Sequence, residues 1–233
     1  MTRPSPAGLF VTVTDTGVGK TVAACVLIRA LRRRGIDAAG MKAVETGVGE
    51  GGPLDALALR EASGGGDPLD LVCPQRFPLA ASPAVAAAAA GAAVDLRSIH
   101  AAFAALSARH DCVFVEGAGG LLVPLTASVC MADLARDLSL PLLVVARARL
   151  GTINHILLTL EVARGRGLPL AGVVISRGSE PISPPDRRNL DHLRELLGRL
   201  WLGEIPRLGA GAEAPAGCIG IEEIMRAAGV SRR

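Results

Sequence analysis

Gly19-Lys20-Thr21 places a glycine, an ammonium and a hydroxyl side by side. That triplet ends the phosphate-loop pattern G-x-x-x-x-G-K-[ST]. In such a loop, backbone N–H groups converge on phosphate oxygens and the following helix adds its positive end. Gly17 and Gly19 can take positive φ and allow close approach. Lys20 would reach the β- and γ-phosphates, and the Thr21 hydroxyl would hold Mg²⁺. The first glycine of the general pattern is absent: Thr14 stands there, preceded by Val13. Mg²⁺ usually takes one or two carboxylates as well as phosphate oxygens. Glu116 is the best candidate, because it ends an apolar run and precedes Gly117-Ala118-Gly119. Asp55 is the second, although an aspartate in a first helical turn is favoured by the helix dipole alone.

These residues need a scaffold, and the apolar pattern supplies one. Gly8 to Val13 reads as a buried strand, and Val22, Ala23, Val26, Leu27, Ala30 and Leu31 recur at helical spacing. The GKT triplet therefore lies between a strand and a helix, the context that a phosphate loop needs. Gly35 stops that helix, and Ile36 to Val44 reads as a second strand. Pro53 opens a helix through Asp55 to Ala62, and residues 64 to 83 read as an excursion rich in Gly, Pro and polar residues. Ser82-Pro83 starts a helix before an alanine run, and Asp95 caps another that ends near Arg109. Strands follow at Asp111 to Val115, Leu140 to Ala146, Leu170 to Ser176 and Leu202 to Ile205. Helices are expected after Gly151-Thr152 and from Ile182 to Leu200, with a loop over 209–217 and a short last helix on Ile221, Ile224 and Met225. This alternation predicts a doubly wound α/β fold: a mostly parallel sheet flanked by helices in three layers, with residues 1–233 as a single domain.

Composition narrows the function. Half the residues are hydrophobic and only 2% are aromatic, so the core is aliphatic, as suits a parallel sheet covered by helices. With 25 basic and 22 acidic residues the charge is nearly balanced, which argues against a nucleic-acid partner. Arg29, Arg32, Arg33 and Arg34 cluster, but at a helix end, where the dipole favours them. The five cysteines form no C-x-x-C pair; three of them fall in apolar stretches as small core residues. The amino-terminal stretch has no secretory apolar run. No segment approaches the roughly 18 apolar residues of a membrane span. The expectation is a soluble, reduced, cytoplasmic protein.

Several stretches together resemble the dethiobiotin synthetases: TDTGVGKT, GMKAVETG, DALAL, VEGAGGLLVPL, LGTINH and LGEIP, in the family's order across nearly the whole chain. The family loop typically reads G-T-D-T-x-V-G-K-T, so Thr14 matches family usage and the departure is Val13, where glycine is usual. The resemblance implies a homodimeric, ATP- and Mg²⁺-dependent ligase that joins 7,8-diaminopelargonate and CO₂ into a ureido ring. It implies that Lys20 and Lys42 stabilise the anions of the reaction, and that Thr46 contacts a carbamate. It implies nucleotide contacts at Thr16, Gly17, Val18, Gly19, Lys20, Thr21, Glu116, Gly117, Ala118, Gly119, Ser176 and Pro206, with Thr21, Asp55 and Glu116 on the metal. Ser176 stands where the family has an asparagine that reads adenine, and Ala43 where it has a proline.

Gly151-Thr152-Ile153-Asn154 opens a helix, and a helix N-terminus can bind a carboxylate. By resemblance this segment holds the substrate carboxylate at the partner subunit's site; the alternative is a helix merely capped by Thr152. A nucleotide-controlled switch of the partition-ATPase type is the other reading of a phosphate loop on this fold. Those proteins carry a signature lysine early in the loop, and Asp15 stands there instead. No N-K-x-D motif of guanine-specific proteins is present.

Overall fold

A computed structural model of the chain describes residues 7–178, 181–208, 214–215 and 217–231. The expected loop over 209–217 lies mostly outside these residues, as does the start of the chain.

The first strand, β1 (Gly8–Val13), is buried along its whole length and leads through the glycine loop into α1 (Lys20–Arg32). The chain continues through β2 (Ala38–Lys42), β3 (Glu45–Thr46), α2 (Leu54–Ala62), α3 (Leu69–Val72), β4 (Arg76–Phe77), α4 (Pro83–Ala89) and α5 (Leu96–Ser107). The second half runs β5 (Cys112–Glu116), α6 (Met131–Asp137), β6 (Leu142–Arg147), α7 (Thr152–Gly165), β7 (Leu170–Ser176), α8 (Pro184–Leu197), β8 (Trp201–Ile205) and α9 (Ile221–Ala227).

Six strands form one sheet in the order β2-β5-β1-β6-β7-β8, and every pairing in it is parallel. Side chains alternate across β1. Leu9, Val11 and Val13 join a core with α1, α2 and α9, while Phe10 joins another with α4, α5 and α6. A third cluster seals α7 and α8 against β6 and β7. The sheet is covered on both faces, which explains why its strands read as near-continuous apolar runs.

The expected elements form, with three differences. The strand expected from Ile36 to Val44 is shorter, because the Asp37 N–H donates to Asp111 Oδ2 rather than to the ladder and the chain leaves the sheet after Lys42. The excursion over 64–83 is not featureless: it carries α3 and β4, and β4 pairs in parallel with β3 as a two-stranded sheet. Helix α6 lies in a stretch where no helix was expected. Asp95 does cap α5, accepting from the Arg97 N–H at 2.9 Å. Among the described residues, no helix is long and apolar enough to cross a membrane.

Candidate active site

Topology brings the charged residues together. β2 and β5 are paired in register, with Lys42 opposite Glu116 as the last residue of each strand. Both therefore emerge at the carboxyl edge of the sheet, where ligands bind in open α/β folds. β1 is the other neighbour of β5 and delivers the loop at the same edge.

The loop geometry suits an anion. Gly17 and Gly19 take φ of 65° and 94°, a region that costs other residues strain. A Cβ on Gly19 would come within 2.5 Å of Ser176 Oγ, so only glycine lets the loop pack onto the end of β7. Lys20 and Thr21 open α1, which has no side-chain cap and leaves its first N–H groups facing the loop. Arg147, the last residue of β6, donates a hydrogen bond to the Gly17 carbonyl.

Four charges and a hydroxyl then meet within hydrogen-bonding distance. Lys20 Nζ donates to Glu116 Oε1 at 2.7 Å, and Lys42 Nζ donates to the same oxygen at 2.5 Å. Lys42 also pairs with Asp55 Oδ2. The Thr21 hydroxyl lies 2.9 Å from Asp55 Oδ1 and 3.0 Å from Glu116 Oε1, and its single proton serves one of them at a time. Lys42 and Glu116 are buried. Burial pulls the Lys42 ammonium down, but the Glu116 and Asp55 charges outweigh it and hold its pKa above the ordinary lysine value. For Lys20 burial wins, helped by the neighbouring Lys42 charge, and its pKa falls below the ordinary value. Burial would raise Asp55, yet Lys42 and the Thr21 hydroxyl bring it below the usual carboxylate range.

Thr21, Asp55 and Glu116 form an all-oxygen donor set that fits Mg²⁺. Glu116 Oε2 is buried without a hydrogen-bond partner among the described residues, which leaves a lone-pair donor for a cation or its water. Among the described residues no three acidic, His or Cys side chains build a self-sufficient metal cage. Mg²⁺ held jointly by protein carboxylates and substrate phosphates needs none.

A cleft of about 430 Å³ opens beside this cluster. The loop and helix start from Asp15 to Val22 form one side, and Lys42, Val44, Glu45, Thr46, Asp55, Ala118 and Gly119 line the rest. Val13 also borders it, but its side chain is 2% exposed and belongs to the core. Gly117 lies behind the lining, with its N–H on the Val11 carbonyl at 3.1 Å. Ser176 is buried under Gly19, and Pro206 follows β8 at the same edge; neither lines the cleft.

Gly151, Thr152, Ile153 and Asn154 sit elsewhere. Thr152 borders a separate cavity of about 40 Å³ with Thr14, Asp15, Val18 and Arg147. Thr152 does not cap α7, since Gly151 takes the cap position and Thr152 is the first helical residue. Its hydroxyl is buried and finds no partner among the described residues. Two further side chains shape the site without a sequence signal. The Arg147 contact joins residues 130 positions apart, and Glu45 reaches the start of α2 from β3 while bordering the cleft.

Fold and site together define a phosphate-loop nucleotide-binding protein. The family model described as an AAA domain matches residues 7–213. The ATP-dependent dethiobiotin synthetase BioD of Anaeromyxobacter dehalogenans strain 2CP-C is 52% identical over 206 residues, covering 86% of this chain and 92% of that protein. The enzyme of the same name from Anaeromyxobacter sp. strain K is 49% identical, again covering 86% and 92%. The chain belongs to the dethiobiotin synthetase family. Among solved structures, the MinC:MinD cell division complex of Aquifex aeolicus superposes with a TM-score of 0.60, covering 97% of each chain, at 15% identity. That likeness shows the fold alone.

Proposed function

We propose that this chain is an ATP- and Mg²⁺-dependent dethiobiotin synthetase. It would close the ureido ring of dethiobiotin from 7,8-diaminopelargonate and CO₂, as a cytoplasmic homodimer. The observation that carries the reading is the cluster that Lys20, Lys42 and Thr21, from the cleft lining, form with Asp55 and the buried Glu116 beside the phosphate loop.

The chemistry fits those residues. One substrate amine adds to CO₂ and loses a proton, giving a carbamate. A carbamate oxygen attacks the γ-phosphorus of ATP and ADP leaves. The second amine attacks the carbonyl carbon of the resulting mixed anhydride, and phosphate departs as the ring closes. Each intermediate is anionic, so the site needs fixed positive charge at the transferring group more than it needs a nucleophile. Lys20 turns from Glu116 to the β- and γ-phosphates, and Lys42 serves the carbamate and the transferring phosphate. Thr46 offers its hydroxyl to the carbamate.

Thr16, Gly17, Val18, Gly19, Ala118 and Gly119 would surround the nucleotide, with Gly117 behind them; Ser176 and Pro206, which the family resemblance puts near the base, stand outside the cleft lining. Thr21, Asp55 and Glu116 would hold Mg²⁺, which when bound would offset phosphate charge. Gly151, Thr152, Ile153 and Asn154 take the substrate carboxylate at the partner subunit's site. A partition-type switch is disfavoured by Asp15 at the position of the signature lysine.

The test is phosphate release from ATP. It should require diaminopelargonate and bicarbonate together, and dethiobiotin should accumulate one-for-one with ADP. Hydrolysis indifferent to both would refute the reading. Lys20→Ala should lower kcat at least about a hundredfold, the scale for losing one preorganised charge at a developing anion.

A further inference from the structure

Helix α2 begins without a cap of its own. Its cap position is Pro53, which has no side-chain oxygen, and no cap hydrogen bond is made from there. The orphan N–H groups of the first turn are instead met by Glu45. Oε1 accepts from the Asp55 N–H at 3.0 Å and Oε2 from the Ala56 N–H at 2.9 Å. Glu45 is 6% exposed, and its own N–H is held by the Gln75 carbonyl at 2.9 Å in the β3–β4 pairing.

An aspartate in a first helical turn readily folds its carboxylate back onto free backbone N–H groups. Asp55 does not. Its two oxygens face Thr21 and Lys42. Glu45 occupies the N–H groups that would compete for that carboxylate.

We propose that Glu45 is a positioning residue for the metal site: by capping α2 from a neighbouring strand, it keeps the Asp55 carboxylate turned toward the cleft and so sets Mg²⁺ affinity. The inference rests on the reading of Asp55 as a metal ligand. Residues that orient a ligand typically change metal affinity 10- to 100-fold when lost.

The test is titration of the ADP-bound protein with Mg²⁺ by calorimetry, and with Mn²⁺ by electron paramagnetic resonance. Glu45→Ala should weaken metal binding at least about tenfold and leave metal-free ADP affinity unchanged. Glu45→Gln keeps one amide oxygen as acceptor and should fall between Glu45→Ala and the parent; it also carries the test if the alanine variant does not fold. Glu45→Ala added to Asp55→Ala should cause no further loss, because both act through one carboxylate. Additive losses, or unchanged metal affinity in Glu45→Ala beside a clear Asp55→Ala effect, overturn the positioning role alone. Unchanged affinity in Asp55→Ala overturns the metal-ligand reading and this inference with it.

Discussion

Arg147 supplies a cation that the loop motif itself does not contain. Its guanidinium binds the Gly17 carbonyl, and the described backbone has no cis peptide. In a trans peptide the carbonyl and the following N–H point in opposite directions. Fixing the Gly17 oxygen toward Arg147 therefore turns the Val18 N–H the other way, in a loop whose N–H groups must converge on phosphate. Preorganised donors bind an anion without first reorienting. A hydrogen bond from a charged donor contributes about 1.5–3 kcal/mol. Arg147→Ala should accordingly raise the KM for ATP about tenfold or more, with a smaller effect on kcat and little on the KM for diaminopelargonate. Arg147→Lys should recover part of the loss, since it keeps a charge but not the planar fork. Equal changes in both KM values would point to general unfolding of the edge rather than to the loop. Val13 illustrates the opposite case, a departure that the core absorbs: the side chain packs among Val18, Leu143 and Val145 instead of filling the cleft.

Elements with strong period were legible, and elements made by tertiary pairing were not. Helix α1 announces itself because Ala23, Val26, Leu27, Ala30 and Leu31 recur at helical spacing and are buried, with Ala24, Cys25 and Ile28 buried beside them; Val22, expected in the same set, is 45% exposed. The six sheet strands are apolar because both their faces are covered. Helix α6 is only seven residues long and its cap residue is Cys130, which lies outside the usual capping set; Asp133 reaches back to accept from the Cys130 N–H at 2.9 Å. β3 and β4 are two residues each, too short to show alternation, and they exist because the 64–83 excursion returns alongside Glu45. The lysine–carboxylate cluster was legible as residue types; its in-register pairing was not, since register is a property of the sheet. The sheet and its covering elements also carry thiols whose titration reports on them. Burial pushes Cys25 on α1, Cys73 after α3 and Cys112 on β5 up to about 12 from an ordinary value of 9.0. A folded-state pKa above the unfolded one favours the fold fully below pH 9, and that contribution is lost as pH rises through about 12. The unfolding free energy from urea titration should therefore drop between pH 9 and pH 11, by on the order of 2 kcal/mol per thiol at the upper end. Cys112→Ala should flatten the slope of that decline, and an unchanged slope would mean that other groups cause it.

The whole molecule raises a problem of reach. The helix that should receive the substrate carboxylate begins beside Thr14, Asp15 and Arg147, while Lys42 and Thr46 line a different opening in the same chain. A second copy resolves this if its α7 lies across the cleft. Apolar side chains are available for such a contact: Leu150 is 81% exposed, and Leu157 and Leu158 on α7 are 43% and 57% exposed. In a twofold dimer the two sites are equivalent and each borrows one segment from its partner. The arrangement has a sharp consequence for mixed dimers. Lys20→Ala removes the phosphate-binding half of a site, and Asn154→Asp places a repelling charge in the carboxylate-binding half. Each variant alone should be nearly inactive. When the two are unfolded together in equal amounts and refolded, half of the dimers are mixed. In a mixed dimer one site carries both defects, and the other combines an intact Lys20 with an intact Asn154 from its neighbour. Random pairing in a twofold dimer therefore predicts recovery of about a quarter of the parent activity. If each site were built within a single chain, every site would keep one defect and mixing would restore nothing.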